Sequence, residues 1–148
     1  MGRNYDSLKW FAVVPATLAV VAVAVPVLMP RWPEIGLALQ RAFTLVCHQK
    51  PERSFILFGG TVAVCARCLG IYLGSAVGLL LRVPRQLAWR WLLVAVALNL
   101  VDWAVELSGV HCNWMFARCA LGFALGLAGA MLVAAQTQTI AGGRATGN

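Results

Sequence analysis

Four apolar runs are separated along the chain by short polar, glycine-containing or proline-containing breaks. The first covers residues 10–29 (WFAVVPATLAVVAVAVPVLM), and about twenty helical residues suffice to cross the roughly 30 Å hydrocarbon layer of a bilayer. Its length, and the further apolar runs that follow, read as a retained span and not a signal peptide. Pro15 and Pro26 are expected to kink it. The other expected spans are 62–81, which follows the Gly59-Gly60 break, then 87–107 and 114–135. Between the first two lies an amphipathic stretch, Pro33 to Val46, in which Ile35, Leu37, Leu39, Phe43 and Val46 are interspersed with Glu34, Gln40 and Arg41. It is too polar to cross, and Pro33 suits a first helical turn, so the pattern predicts a helix lying in the membrane interface. The predicted fold is all-α: an integral membrane four-helix bundle with an interfacial amphipathic helix between the first two spans, forming a single transmembrane domain over 1–148.

Small residues refine that bundle. Gly70, Gly74 and Gly78 recur every fourth residue in the second span; Gly122, Gly126 and, one residue out of step, Gly129 do the same in the fourth. Glycines at this spacing let two helix backbones approach closely where lipid offers no hydrophobic drive.

Composition agrees with the pattern. The chain is 61% hydrophobic and 11% charged, with a mean hydropathy of +0.79. Soluble domains are nearer 45–50% apolar and about 25% charged, which excludes a disordered tail, a disulfide mini-scaffold and an ordinary cytosolic enzyme. The net charge of +7 does not gather on one stripe, so no nucleic-acid partner is expected. Lys9, Arg31, Arg82, Arg85 and Arg90 flank apolar runs, where anionic lipid headgroups attract them. The expected partners are the bilayer and, since little protrudes from it, a larger membrane complex or a second copy. The short, basic connection carrying Arg82 and Arg85 predicts cytoplasmic termini, in a bacterial inner membrane.

An even number of spans sends the first and third connections to the same side. Cys47, His48, Cys65, Cys68, His111, Cys112 and Cys119 therefore belong to one leaflet, on the outer side, where disulfides persist. Cys65-Ala66-Arg67-Cys68 is a C-x-x-C near a helix start, and no histidine follows it, so haem attachment is excluded. Cys47, Cys65 and Cys68 with one of His48, His111 or Cys112 would make a tetrahedral site, most simply for zinc, with Arg53 and Arg67 offsetting thiolate charge. An iron–sulfur centre uses similar ligands but needs a fourth cysteine. Alternatively, Cys65 and Cys68 exchange disulfides, in the manner of quinone-linked thiol oxidases. The plainest alternative treats the cysteines as small buried hydrophobes, as Cys119 is expected to be.

Charges inside apolar spans need partners or a wet cavity. Asp102 and Glu106 share one helical face near the cysteine side, and an Asp102–Arg118 pair is expected. Arg53, Arg67, Asp102 and Arg118 would then line a polar cavity beneath the cysteines, or simply pair between helices. A cavity lined by Asp102, Glu106 and Arg118 would suit transport of a metal ion or small solute.

The string Cys47-His48-Gln49, Arg53-Ser54-Phe55, Gly59 and Cys65-Ala66-Arg67-Cys68-Leu69-Gly70-Ile71-Tyr72-Leu73-Gly74 resembles the signature of an uncharacterised prokaryotic family of small membrane proteins, a domain of unknown function. The likeness is dense over 47–78. It implies a multi-span membrane protein whose motif residues belong together, and it favours Cys47, Cys65 and Cys68 over Cys112 and Cys119, which fall outside the signature. It implies no reaction, and whether the protein is an enzyme stays open. The leading expectation is a zinc ion held at one membrane face.

Overall fold

The computed structural model describes residues 3–109 and 114–145, with backbone alone for 3–9 and 138–145. His111 and Cys112 lie outside the described residues. The elements in order are α1 (Arg3–Leu28), α2 (Pro33–Thr44), a 3-10 turn (Pro51–Arg53), β1 (Ile56–Leu57), β2 (Gly60–Thr61), α3 (Ala66–Gly78), α4 (Arg85–Leu107) and α5 (Met115–Ala145).

Three helices contain segments long and apolar enough to cross a membrane: Trp10–Leu28, Arg85–Leu107 and Met115–Thr137. They coincide with the first, third and fourth expected spans. The second does not form as expected. Helix α3 has 13 residues, about 20 Å at 1.5 Å each, short of the bilayer core. The residues ahead of it, Val62, Ala63 and Val64, are not helical but form a bend, and they are 2%, 1% and 0% exposed. Periodicity alone does not decide the structure of a short apolar run, and here tertiary burial of a non-helical segment wins.

The amphipathic helix is present. Glu34 in its first turn and Arg41 in its last complement the helix dipole, and its Phe43 is buried against α1 and the segment before α3. A β-hairpin follows that the hydropathy pattern did not anticipate. Ile56 faces Thr61 and Leu57 faces Gly60, across a two-residue turn in which Phe58 and Gly59 both have positive φ, 53° and 80°. Two positive φ values are the signature of a type I′ turn, whose twist matches that of paired strands.

The glycine ladders interlock. A Cβ at Gly70, Gly74 or Gly78 would strike the backbone of Cys119, Phe123 or Leu127, and one at Gly122 or Gly126 would strike that of Arg67 or Ile71. Both numberings rise together, so α3 and α5 run parallel. Gly129 meets nothing and takes no part. Helix α4 returns antiparallel along α5, with Ala88 and Ala95 packed on Ala128, Met131 and Leu132 and Asn99 Nδ2 donating to the Leu121 carbonyl at 3.2 Å. Helix α1 is antiparallel to α3: Ala12 packs near Leu79, and Ala22 near Val62–Val64. The connections that follow α1 and α4 thus lie at one end.

Candidate metal centre

Two segments deliver three thiols to that end. Helix α2 delivers Cys47, whose N–H donates to the Phe43 carbonyl at 2.9 Å and whose side chain is 5% exposed. The chain then bends through Gln49 at φ 46°. The Gln49 side-chain amide donates back to the Gln40 carbonyl at 2.7 Å, tying the loop to α2. Ser54 is buried and donates through Oγ to the Lys50 carbonyl at 3.1 Å.

A proline in α1 sets the second segment. Pro26 has no N–H, so the Ala22 carbonyl four residues earlier lacks its helical donor. The Ala63 N–H supplies one at 3.2 Å, and this bond docks the non-helical chain that enters α3. Two residues on, Cys65 caps α3 with extended backbone (φ −68°, ψ 158°), and its N–H donates to Cys47 Sγ at 3.2 Å. Cys68 lies in the first turn of α3. The Sγ atoms of Cys47, Cys65 and Cys68 all lie within 4.8 Å of one another, and Cys47, Cys65, Cys68 and Cys119 are free thiols.

His48 is exposed and is not among the side chains gathered with Cys47, whose neighbour it is in sequence. Cys119 lies in α5, where its backbone meets Gly70, and it also stands outside the group.

The charged residues meet as ion pairs between elements. Arg67 of α3 pairs with Asp102 of α4. Arg53 of the 3-10 turn pairs with Glu106 of α4, and Arg118 of α5 lies 3.6 Å from the same carboxylate. Asp102 is thus bonded to Arg67 in place of the expected Arg118, because α3 lies on α5 closely enough to interpose its first turn. Arg67 and Arg118 occupy first helical turns, and Asp102 and Glu106 stand near the end of α4. Arg67 and Glu106, in the terminal turns of α3 and α4, each stand on the unfavourable end of their own helix dipole, and pairing across helices offsets this. Arg67 Nε, Arg118 Nε and Asn99 Oδ1 are buried with no hydrogen-bond partner.

Sequence reasoning located the three cysteines and the charged face of α4. It gave no role to Gln49, Ser54 or Pro26, which shape the loop. Gln49 and Ser54 stand inside the signature string, which is the signal the sequence offers for them; Pro26 signals only a kink in α1.

Helices of membrane-crossing length with a three-thiol cluster at one end define a small integral membrane protein. The chain belongs to the family described as "Predicted membrane protein (DUF2085)", whose model matches residues 47–132. Among similar proteins, "Uncharacterized protein MJ1492" of Methanocaldococcus jannaschii is 35% identical over 105 residues, covering 64% of this chain and 65% of that protein. The chain thus spans just under two thirds of that relative's length. An "Uncharacterized protein" of Methanothermobacter thermautotrophicus is 33% identical over 95 residues, covering 61% of this chain and 86% of its own. No solved structure matches the chain.

Proposed function

We propose that this membrane protein holds a divalent metal ion, zinc by preference, on Cys47, Cys65 and Cys68 at one membrane face. The observation that carries the reading is the closure of three sulfurs, from two segments separated in sequence, to within 4.8 Å of one another. Zn–S bonds of about 2.3 Å put the sulfurs of a tetrahedral site about 3.8 Å apart, so small side-chain rotations complete the geometry. The Cys65 N–H donates to Cys47 Sγ, which ties the two cysteine-bearing stretches of chain together. Three thiolates on a divalent ion carry one negative charge, and Arg53, Arg67 and Arg118 outnumber Asp102 and Glu106 by one. Short α3, together with the buried non-helical residues before it, would complete a four-helix unit in the bilayer. Helix α2 would lie in the interface and the chain ends on the cytoplasmic side.

Protein purified anaerobically is expected to contain about one metal ion per chain, lost when any of the three cysteines is changed to serine and retained in Cys119→Ser. Elemental analysis checks this; metal content that ignores all three substitutions overturns the reading. The placement of Cys65 and Cys68 one helical turn apart favours thiol–disulfide exchange as a second reading. It requires a pair that oxidises and re-reduces reversibly under thiol trapping.

A further inference from the structure

Helix α4 carries no cysteine among its residues, yet its two acids reach both segments that do. Glu106 pairs with Arg53, which stands on the loop between Cys47 and Cys65. Asp102 pairs with Arg67, which stands between Cys65 and Cys68. Packing gives α4 little other hold. Its buried residues are Ala88 and Ala95, both on α5. Most of its large apolar side chains, Leu93, Leu98, Leu100 and Trp103 among them, face outward. The ion pairs are half-buried or better, with Glu106 16% exposed and Arg118 11%, so solvent screens them less than a surface pair.

We infer that Asp102 and Glu106 are positioning residues for the three-sulfur centre: α4 fixes, through Arg67 and Arg53, the separation of Cys47 from Cys65 and Cys68. The inference rests on the metal reading above. Arg118 anchors Glu106 from the α5 side, so the carboxylate is held between a fixed helix and the loop it restrains. Two physical models make opposite predictions for removal of either acid. If the acids acted only through long-range charge, neutralising one would leave the surroundings of an anionic metal–thiolate group more positive and tighten binding. If they position the ligands, the same change frees an arginine and its loop, and binding weakens.

The test uses the full chain in detergent or nanodiscs, titrated with cobalt(II) and followed by its thiolate charge-transfer absorption. Glu106→Gln and Asp102→Asn are each expected to weaken cobalt binding ten- to a hundredfold, the usual loss when residues supporting metal ligands are removed, with helical circular dichroism unchanged. Asn99→Leu is the control: it deletes the α4–α5 hydrogen bond without touching either arginine, and should lower thermal stability while leaving cobalt affinity as it is. Arg53→Ala breaks the Glu106 contact from the loop side and should reproduce Glu106→Gln, even where the latter folds poorly. Unchanged or tighter binding in the acid variants, or an equal loss in Asn99→Leu, overturns the inference while leaving the metal reading intact. A wild-type protein that binds no cobalt or zinc overturns the metal reading itself, and this one with it.

Discussion

Among the described residues, two outside glycine hold left-handed backbone, and each has a different reason. Phe58 occupies the first position of a type I′ turn at φ 53° with its ring 78% exposed, so the turn gains little from its side chain. Left-handed backbone costs an ordinary side chain roughly 1–2 kcal/mol, and asparagine much less. Phe58→Asn is therefore expected to raise thermal stability in detergent by a few degrees, and a lowered midpoint would contradict the account. Gln49 at φ 46° instead recovers its strain through the bond to the Gln40 carbonyl. Gln49→Ala keeps the strain and loses the bond, an expected cost of about 1 kcal/mol. It should also weaken cobalt binding, because Cys47 is two residues away. None of this was legible in composition or periodicity. A two-residue turn offers no period, and Phe-Gly is not among the usual hairpin pairs.

At the scale of elements, the long apolar runs announce α1, α4 and α5, because a membrane-length run admits few other structures; hydropathy misses only the polar extensions, residues 3–9 of α1 and the last residues of α5 to Ala145. The second run was legible only in part. Its glycine spacing foretells the contact between α3 and α5, while its first residues are held out of the helix, with the Ala63 N–H bonded to the carbonyl that Pro26 leaves unbonded in α1. The acids of α4 were likewise legible as a face, but helical spacing cannot say which arginine each will meet. The glycine contact gives a sharp comparison. Gly74→Leu must push the Phe123 backbone away, and over-packing of this kind costs about 1–3 kcal/mol or more. Gly129→Leu enters open space and is expected to leave the melting temperature nearly unchanged. Similar losses from both would refute the tight α3–α5 contact.

For the whole molecule, the antiparallel and parallel pairings place Arg3 and Ala145 at the end opposite the thiols. A fluorescent protein fused after Ala145 is expected to fluoresce in cells, and alkaline phosphatase at the same point to stay inactive; the reverse pattern inverts the proposed orientation. The four-residue interlock of α3 with α5 then has a mechanical consequence. Because each glycine notch receives one backbone bump of the opposite helix, α3 cannot creep along α5; its next seat lies one notch away, about 6 Å at 1.5 Å per residue. The height of the Cys65 and Cys68 sulfurs relative to Arg118 of α5 is accordingly stepped, like a pawl on a rack, and a disturbance elsewhere in the molecule either leaves the sulfur triangle whole or dismantles it.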